Sequence, residues 1–236
     1  MKKSIFFCIS ILILSVSFLC LMSNAYITVN NNAIDKEYKN VPVIILDPGH
    51  GDFDGGTVGE GNILEKDINL QISKKIYDIL TVFGFKIEMT REDDSSTCDD
   101  NLKTIRKKKV SDLKNRLKMA NKYENSIFIS IHQNNFSNCK YYGSQVFYST
   151  NNPNSKILAE HIKEAITKLI QPNNEREIKP AGSNIFILKN AKNPAIIVEC
   201  GFMSNQNELN RLCSDYYQNQ IAFSICSGIA NYLKIL

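Results

Sequence analysis

Short apolar runs alternate with longer amphipathic stretches along most of this chain of 236 residues. Six runs rich in β-branched and aromatic residues have the length and composition of strands, and they lie at 42–46, 85–90, 126–131, 144–149, 184–188 and 194–199. Between them, apolar residues recur every three or four positions, which predicts helices from Glu65 to Gly84 and over 110–122, 155–170 and 215–233. Strands that alternate with helices are typical of α/β proteins. We therefore expect a single α/β domain with a twisted six-stranded sheet, mostly parallel or mixed, and helices on both of its faces.

The same periodicity predicts which side chains of the helices face the core. In the second helix these are Val110, Leu113 and Leu117, and in the third they include Ile157 and Leu169. The segment joining 126–131 to 144–149 is short enough for a hairpin-like antiparallel pairing, so mixed strand directions are expected.

Three segments have neither pattern, and they are 26–40, 92–109 and 171–183. The middle one changes from acidic to basic along its length. It is interpreted as a solvated loop followed by a helix start, with a surface for a partner or substrate as the alternative.

The amino-terminal segment has the pattern of an export signal. Met1-Lys2-Lys3 precedes an apolar stretch from Ile5 to Met22, and Ser23-Asn24-Ala25 follows. Cleavage after Ala25 is the expected outcome, with an uncleaved membrane anchor as the alternative because the apolar stretch approaches spanning length. The sequence thus predicts a signal peptide or anchor at 1–25, a linker at 26–40 and the folded domain at 41–236. If this segment is not cleaved, membrane contact would involve only residues 1–25.

Charge and cysteine content restrict the function classes. The chain has 28 basic and 24 acidic residues, a weak basic balance that does not indicate a nucleic-acid partner. After residue 25 the cysteines number five, at 98, 139, 200, 213 and 226. Export permits disulfides, but the odd number leaves at least one thiol unpaired, and which pairs form stays open. No Cys-x-x-Cys pair occurs, which disfavours a thiolate zinc site.

Histidine is scarce, and two of the three histidines follow or end predicted strands. His50 follows the first strand and His132 ends the third, which predicts a shared metal site because imidazole is a common metal ligand. His161 lies at the flank of an apolar helical stripe and is interpreted as a helix-surface residue.

Glu65 lies fifteen residues after His50 and opens the first predicted helix. A capping box with Asn62 is the alternative role for its carboxylate. A catalytic zinc has three protein ligands and one open position, and His50, Glu65 and His132 meet that requirement.

Glu199 ends a wholly apolar strand, where an unpartnered carboxylate is costly. A position beside a cation and its water explains it, so Glu199 is the candidate general base. Cys200 as a nucleophile is disfavoured because adjacent strand residues point in opposite directions. Arg91, at another strand end, either serves the structure or binds a substrate carboxylate.

Five motifs occur in order along the chain, and they are Leu46-Asp47-Pro48-Gly49-His50-Gly51, Glu65, Met89-Thr90-Arg91, Ser130-Ile131-His132-Gln133-Asn134 and Val198-Glu199-Cys200-Gly201-Phe202-Met203-Ser204-Asn205. They resemble the motifs of the zinc-dependent N-acetylmuramoyl-L-alanine amidases of the Amidase_3 type, from about Val43 to Leu233. The resemblance implies one catalytic Zn²⁺ held by His50, Glu65 and His132. It also implies that Glu199 is the catalytic acid/base, that 41–236 is the catalytic domain and that peptidoglycan is the substrate. Asn134 and Arg91 are candidate substrate contacts within these motifs.

A signal segment followed by a bare catalytic domain is similar to the germination-specific amidases of endospore-forming bacteria. That resemblance implies a role in making muramic-δ-lactam in the spore cortex, a lipoprotein activator as partner, and a location in the cell wall or between the forespore and mother-cell membranes. Two alternatives stay open. One is another zinc amide hydrolase of the wall, either a peptidase or a deacetylase. The other is a non-catalytic wall-binding module.

Overall fold

The computed structural model describes residues 41–234. The predicted signal peptide or anchor and the linker lie outside these residues and stay predictions. Among residues 41–234 no helix is both long enough and apolar enough to cross a membrane.

Six strands form one sheet, and their bounds are β1 Val43–Pro48, β2 Ile87–Met89, β3 Ser126–Asn134, β4 Gln145–Tyr148, β5 Lys179–Pro180 and β6 Ala195–Phe202. The helices are α1 Glu65–Val82, α2 Ile105–Ala120, α3 Asn154–Leu169, α4 Phe186–Asn190, α5 Gln206–Leu212 and α6 Asp215–Leu233, and a 3₁₀ turn occupies Glu60–Asn62. The predicted single α/β domain with a mixed six-stranded sheet is confirmed.

The strand order is β2-β1-β3-β6-β4-β5, and only the β4–β6 pair is antiparallel. The expected hairpin-like pairing of β3 with β4 is therefore wrong, because β6 lies between them. β6 takes the central position because Ile196 and Val198 on one face and Ala195 on the other are fully buried, so this strand needs neighbours and cover on both sides.

The expected strand at 184–188 is also wrong. Residues 186–188 of this run form the first part of the short helix α4. Ile187 and Leu188 of this helix pack with Ile45 and Phe128. A short apolar run cannot be assigned to strand or helix by periodicity alone. The fifth strand is instead Lys179–Pro180, inside the segment expected to be irregular, and proline is tolerated at this sheet edge.

Helix α2 turns a different face to the sheet from the one its apolar pattern predicts. Val110 and Leu113 are exposed, and only Leu117 of the predicted set packs against the core. The buried face contains Asp112 and Arg116, because their ionic contacts determine the rotation of this helix. Two predicted core residues of α3, Ile157 and Leu169, are exposed as well.

The two faces of the sheet are covered unequally. Helices α1, α3 and α6 pack on the face formed by residues such as Ile44, Ile129 and Val198. On the opposite face, α2 and α4 cover Ile45, Phe128 and Ala195. Because strand side chains alternate, the same opposite face carries polar residues toward the carboxyl ends of the parallel strands, namely Asp47, Ser130, His132, Glu199 and Gln145. This polar end of the sheet is where functional groups gather.

All five described cysteines are free thiols. Cys200 on β6 and Cys226 on α6 are buried in the core, where they act as small apolar side chains.

Candidate metal centre and active site

The three predicted metal ligands lie together at the carboxyl ends of β1 and β3. Each of His50, Glu65 and His132 offers one ligand atom, and these atoms lie within 4.8 Å of one another. The nearest carboxylate oxygen, Oε1 of Glu65, is 3.3 Å from Nε2 of His50 and 3.0 Å from Nδ1 of His132. Two imidazoles and one carboxylate are the donor set of a catalytic zinc with one open position, so these residues fit that ion.

Glu65 does not cap its own helix. The residue before it, Leu64, is the N-cap and makes no side-chain cap, so the expected alternative of a capping box with Asn62 is not formed. The Glu65 carboxylate, only 3% exposed, instead accepts hydrogen bonds from the backbone N–H groups of Gln133 and Thr57. Burial alone raises the pKa of Glu65, but the two histidines and their hydrogen bonds hold it well below its usual range. The carboxylate is therefore ionised, as a ligand must be.

His50 is held in an uncommon backbone conformation with a carboxylate behind its ring. Its φ is +63°, in the left-handed region that non-glycine residues rarely adopt. Nδ1 lies 3.1 Å from Asp54, which also pairs with Lys109. Burial disfavours the charged imidazole, but hydrogen bonds to Asp54 and Glu65 raise the pKa of His50 to about 9. A carboxylate that is hydrogen-bonded to one ring nitrogen orients the imidazole so that its other nitrogen can face a metal.

Two glycines make room for the ligands. A Cβ on Gly49 would lie 2.2 Å from the His132 ring, and one on Gly56 would lie 2.6 Å from Oε2 of Glu65. Gly56 also has a φ of +70°, where glycine is strongly favoured. These positions let the backbone approach the ligands closely.

A buried ionic network supports the turn that carries His50. Arg116 on α2 pairs with Asp47 at the end of β1 and with Asp112 one turn earlier on its own helix. The Asp47 carboxylate also accepts hydrogen bonds from Ser130 and Thr90. Sequence reasoning missed Asp47 and Arg116. A carboxylate directly before Pro-Gly-His was the signal available for Asp47, whereas nothing local distinguished Arg116 from the other cations of its helix.

Arg91 is 4% exposed and lies behind the same turn. Its guanidinium donates to the backbone carbonyl oxygens of Pro48, Gly49, Asp93 and Lys66. These contacts favour the structural alternative for Arg91 over substrate binding. Asn134, at the end of β3, is partly exposed near the ligands, and its side chain stays a predicted substrate contact.

Glu199 lies beside His132 on the open face. It is the register partner of His132 on one side and of Gln145 on the other. Its Oε2 is buried and has no hydrogen-bond partner among residues 41–234. Burial is the main reason that the pKa of Glu199 rises to about 7, with Glu65 adding to the rise and the histidines opposing it. A carboxyl group with such a pKa can both take up and release a proton near neutral pH.

Cys200 points away from this site into the core on the other face. Burial raises the pKa of its thiol far above the usual range. A neutral buried thiol is a poor nucleophile, which agrees with the expectation that Cys200 is not a nucleophile.

Two imidazoles and a carboxylate lie together at the strand ends of an α/β sheet, with a buried carboxyl group beside them. This arrangement is typical of the class of metal-dependent hydrolases. The chain belongs to the N-acetylmuramoyl-L-alanine amidase family, whose model matches residues 44–231. The prediction of an amide hydrolase of this family is confirmed.

Similar proteins span most of the chain. A germination-specific N-acetylmuramoyl-L-alanine amidase of Bacillus subtilis is 35% identical over 190 residues, which are 80% of this chain and 79% of the relative. The structure of the CwlD amidase from Clostridioides difficile in complex with the GerS lipoprotein is 40% identical with a TM-score of 0.78, and the match covers 83% of this chain and 100% of that one. The N-acetylmuramoyl-L-alanine amidase AmiC2 of Nostoc punctiforme is 31% identical with a TM-score of 0.69, covering 82% and 97%.

Proposed function

We propose that the chain cleaves the amide between the lactyl group of N-acetylmuramic acid and the amine of L-alanine in peptidoglycan, with one zinc ion held by His50, Glu65 and His132. The observation that carries this proposal is the juxtaposition of the three ligands with Glu199. The shared register of His132 and Glu199 brings the proton carrier next to a ligand on the open face of the sheet.

Each side chain has a separate task. A zinc ion bound at the three ligands supplies Lewis acidity that polarises a carbonyl and lowers the pKa of water. Glu199 accepts the proton of the attacking water and donates it to the departing amine nitrogen, so the group returns to its starting state. Asp54 orients the ring of His50 through Nδ1. Asn134, at the rim, contacts the substrate.

The test is product analysis with purified peptidoglycan. The zinc-loaded protein should release new amino-terminal alanine without new reducing sugar ends, and a chelator should abolish the release until zinc is restored. Acetate release would indicate a deacetylase, and terminal D-alanine release would indicate a carboxypeptidase. Binding of muropeptides without any cleavage would indicate a wall-binding module.

We further propose that the substrate is the spore cortex and that the reaction prepares muramic-δ-lactam needed for germination. The support is similarity to a relative named as germination-specific and to an amidase solved with a lipoprotein. Export through residues 1–25 and activation by a lipoprotein belong to the same proposal. Cleavage rates on cortex and vegetative peptidoglycan, and zinc content with and without a candidate lipoprotein, test these points independently of the amidase activity. Equal rates on the two walls would contradict the cortex assignment.

A further inference from the structure

Arg176 is held rigidly at the protein surface while part of its guanidinium is left without a partner. Its central carbon lies 4.6 Å from the centre of the Phe202 ring and 5.4 Å from that of Tyr141. Nε donates to the backbone carbonyl of Tyr142 over 2.7 Å. Among residues 41–234, neither Nη atom makes a hydrogen bond or an ion pair. A planar cation fixed in this way presents two parallel donors, which match the two oxygens of a carboxylate.

An open pocket of about 270 Å³ lies at this guanidinium. Residues 140–142 of the β3–β4 connection and residues 173–176 line it. Lys140 and Glu175, which are both exposed, add one positive and one negative charge to the lining, so that with Arg176 its net charge is positive. The rings of Tyr141 and Tyr142 are also exposed, and aromatic rings at a pocket rim supply contact area with little loss of conformational entropy. We call this feature the Arg176 pocket.

The buried carboxylate of Glu208 interacts electrostatically with Arg176 but forms no hydrogen bond or ion pair with it. Glu208 uses its two oxygens to accept the backbone N–H groups of Gly143 and Phe202. These bonds join the start of β4 to the end of β6 and fix the floor beneath Arg176. The Nη atoms are therefore available to a ligand.

The Arg176 pocket is connected to the catalytic carboxylate through two strands. Phe202 follows Glu199 by three residues on β6, which is about 10 Å along a strand. Gln145, the register partner of Glu199, donates through Nε2 to the carbonyl of Glu177, the residue after Arg176. An extended peptide advances about 3.3–3.6 Å per residue. The path along β6 from Glu199 to Phe202 therefore corresponds to about two or three residues of an extended peptide.

We propose that the Arg176 pocket binds a carboxylate of the acidic stem peptide, two or three residues beyond the scissile amide on its amine side. The inference rests on the proposed amidase function and names the part of the substrate that this chain recognises. Arg176 is a specificity residue in this scheme, because it contacts the leaving peptide and not the reacting atoms.

A matched pair of substrates tests the pocket. One is N-acetylmuramoyl-L-alanyl-γ-D-glutamyl-L-lysine with free carboxylates, and the other carries both carboxylates as amides. The wild-type protein should cleave the free acid with a kcat/KM at least about tenfold higher. Arg176→Met should lower kcat/KM for the acid by a similar factor, mainly by raising KM. It should leave kcat/KM for the diamide unchanged. Arg176→Lys, which keeps the charge without the planar fork, should restore only part of the preference.

Arg211→Met is the matched control, since Arg211 is an exposed arginine on α5 that does not line the pocket. It should behave as wild type on both substrates. Thermal unfolding and zinc content of each variant report whether the fold and metal site are intact. Equal cleavage of acid and diamide by wild type would overturn the proposal without touching the amidase assignment.

A binding measurement separates the two proposals completely. Calorimetry of the free peptide L-alanyl-γ-D-glutamyl-L-lysine should show weaker binding to Arg176→Met than to wild type, whether or not cleavage occurs. Identical binding to both proteins refutes the pocket, and failure of wild type to cleave either muramyl substrate refutes the amidase function.

Discussion

The guanidinium of Arg116 donates a hydrogen bond to the backbone carbonyl oxygen of His50, a proposed metal ligand, over 2.6 Å, and another to the carbonyl oxygen of Pro48 over 2.9 Å. The same side chain is paired with Asp47. Because His50 has a positive φ, surrounding contacts must hold it in place. Helix α2 therefore determines the position of a ligand from which it is distant in sequence.

Replacing Arg116 should affect both stability and the metal site. In Arg116→Met the Asp47 carboxylate is left buried without its cation, which should lower the free energy of unfolding by about 3–5 kcal/mol. Loss of the bond to His50 should weaken zinc binding by about 10–100-fold. Urea unfolding without metal measures the first effect, and competition with a zinc-binding dye measures the second. Lys114→Met, at an exposed position of the same helix, is the control. Wild-type zinc affinity in folded Arg116→Met would contradict the positioning role.

The pH dependence of stability should reveal the ionised state of Asp47. Burial alone raises the pKa of Asp47, but Arg116 and the hydrogen bonds from Ser130 and Thr90 hold it below the ordinary value of 3.8. A lowered pKa in the folded state contributes stability that is present above the unfolded value and is lost as the pH falls through the folded one. Asp47→Asn should therefore differ most from wild type at neutral pH, and the difference should shrink below about pH 4. Metal-free urea unfolding of both proteins at pH 7 and pH 3 measures this difference in stability. A difference that does not change with pH would refute the lowered pKa of Asp47.

Removing the proton carrier should separate catalysis from metal binding. Glu199→Gln keeps the size of the side chain but cannot take the proton of water, so kcat should fall by about 10²- to 10⁴-fold. Zinc content should stay at the wild-type level, because Glu199 is not among the three ligands. Activity on muramyl peptides and elemental analysis are the two measurements. Wild-type turnover by this variant would exclude Glu199 as the base.

The close approach at Gly49 provides a steric test of the ligand geometry. In Gly49→Ala the new methyl group would collide with the His132 ring, so the ring must move and zinc affinity should fall at least about tenfold. Gly55→Ala is the matched control, since its methyl group would meet only Leu64 at an ordinary contact distance of 3.5 Å. Zinc titration of both variants checks the difference. Equal affinities would show that the His132 ring accommodates the methyl group without cost.

Local patterns were sufficient for the class of fold, and they named the residues that the structure brings together as a candidate metal site. His50, His132 and Glu199 were predicted because each is an unusual residue at or just after the end of an apolar run, and strand ends of an α/β sheet meet at one edge. Glu65 was predicted together with a capping alternative. Only the tertiary structure excluded the capping box, since the Glu65 carboxylate takes its partners from β3 and from the loop before α1.

The sequence by itself determined where most strands and helices lie, because alternation and helical periodicity are properties of neighbouring residues. It did not determine the insertion of β6 between β3 and β4, the helical state of Phe186–Asn190, or the buried face of α2. Each of these depends on contacts between residues distant in sequence, and for α2 the bond between Arg116 and Asp47, 69 residues apart, outweighs the apolar stripe. The tertiary structure alone therefore supplied the support behind His50 and the fixed orientation of the Arg176 guanidinium, since both arise from side chains that only folding brings together.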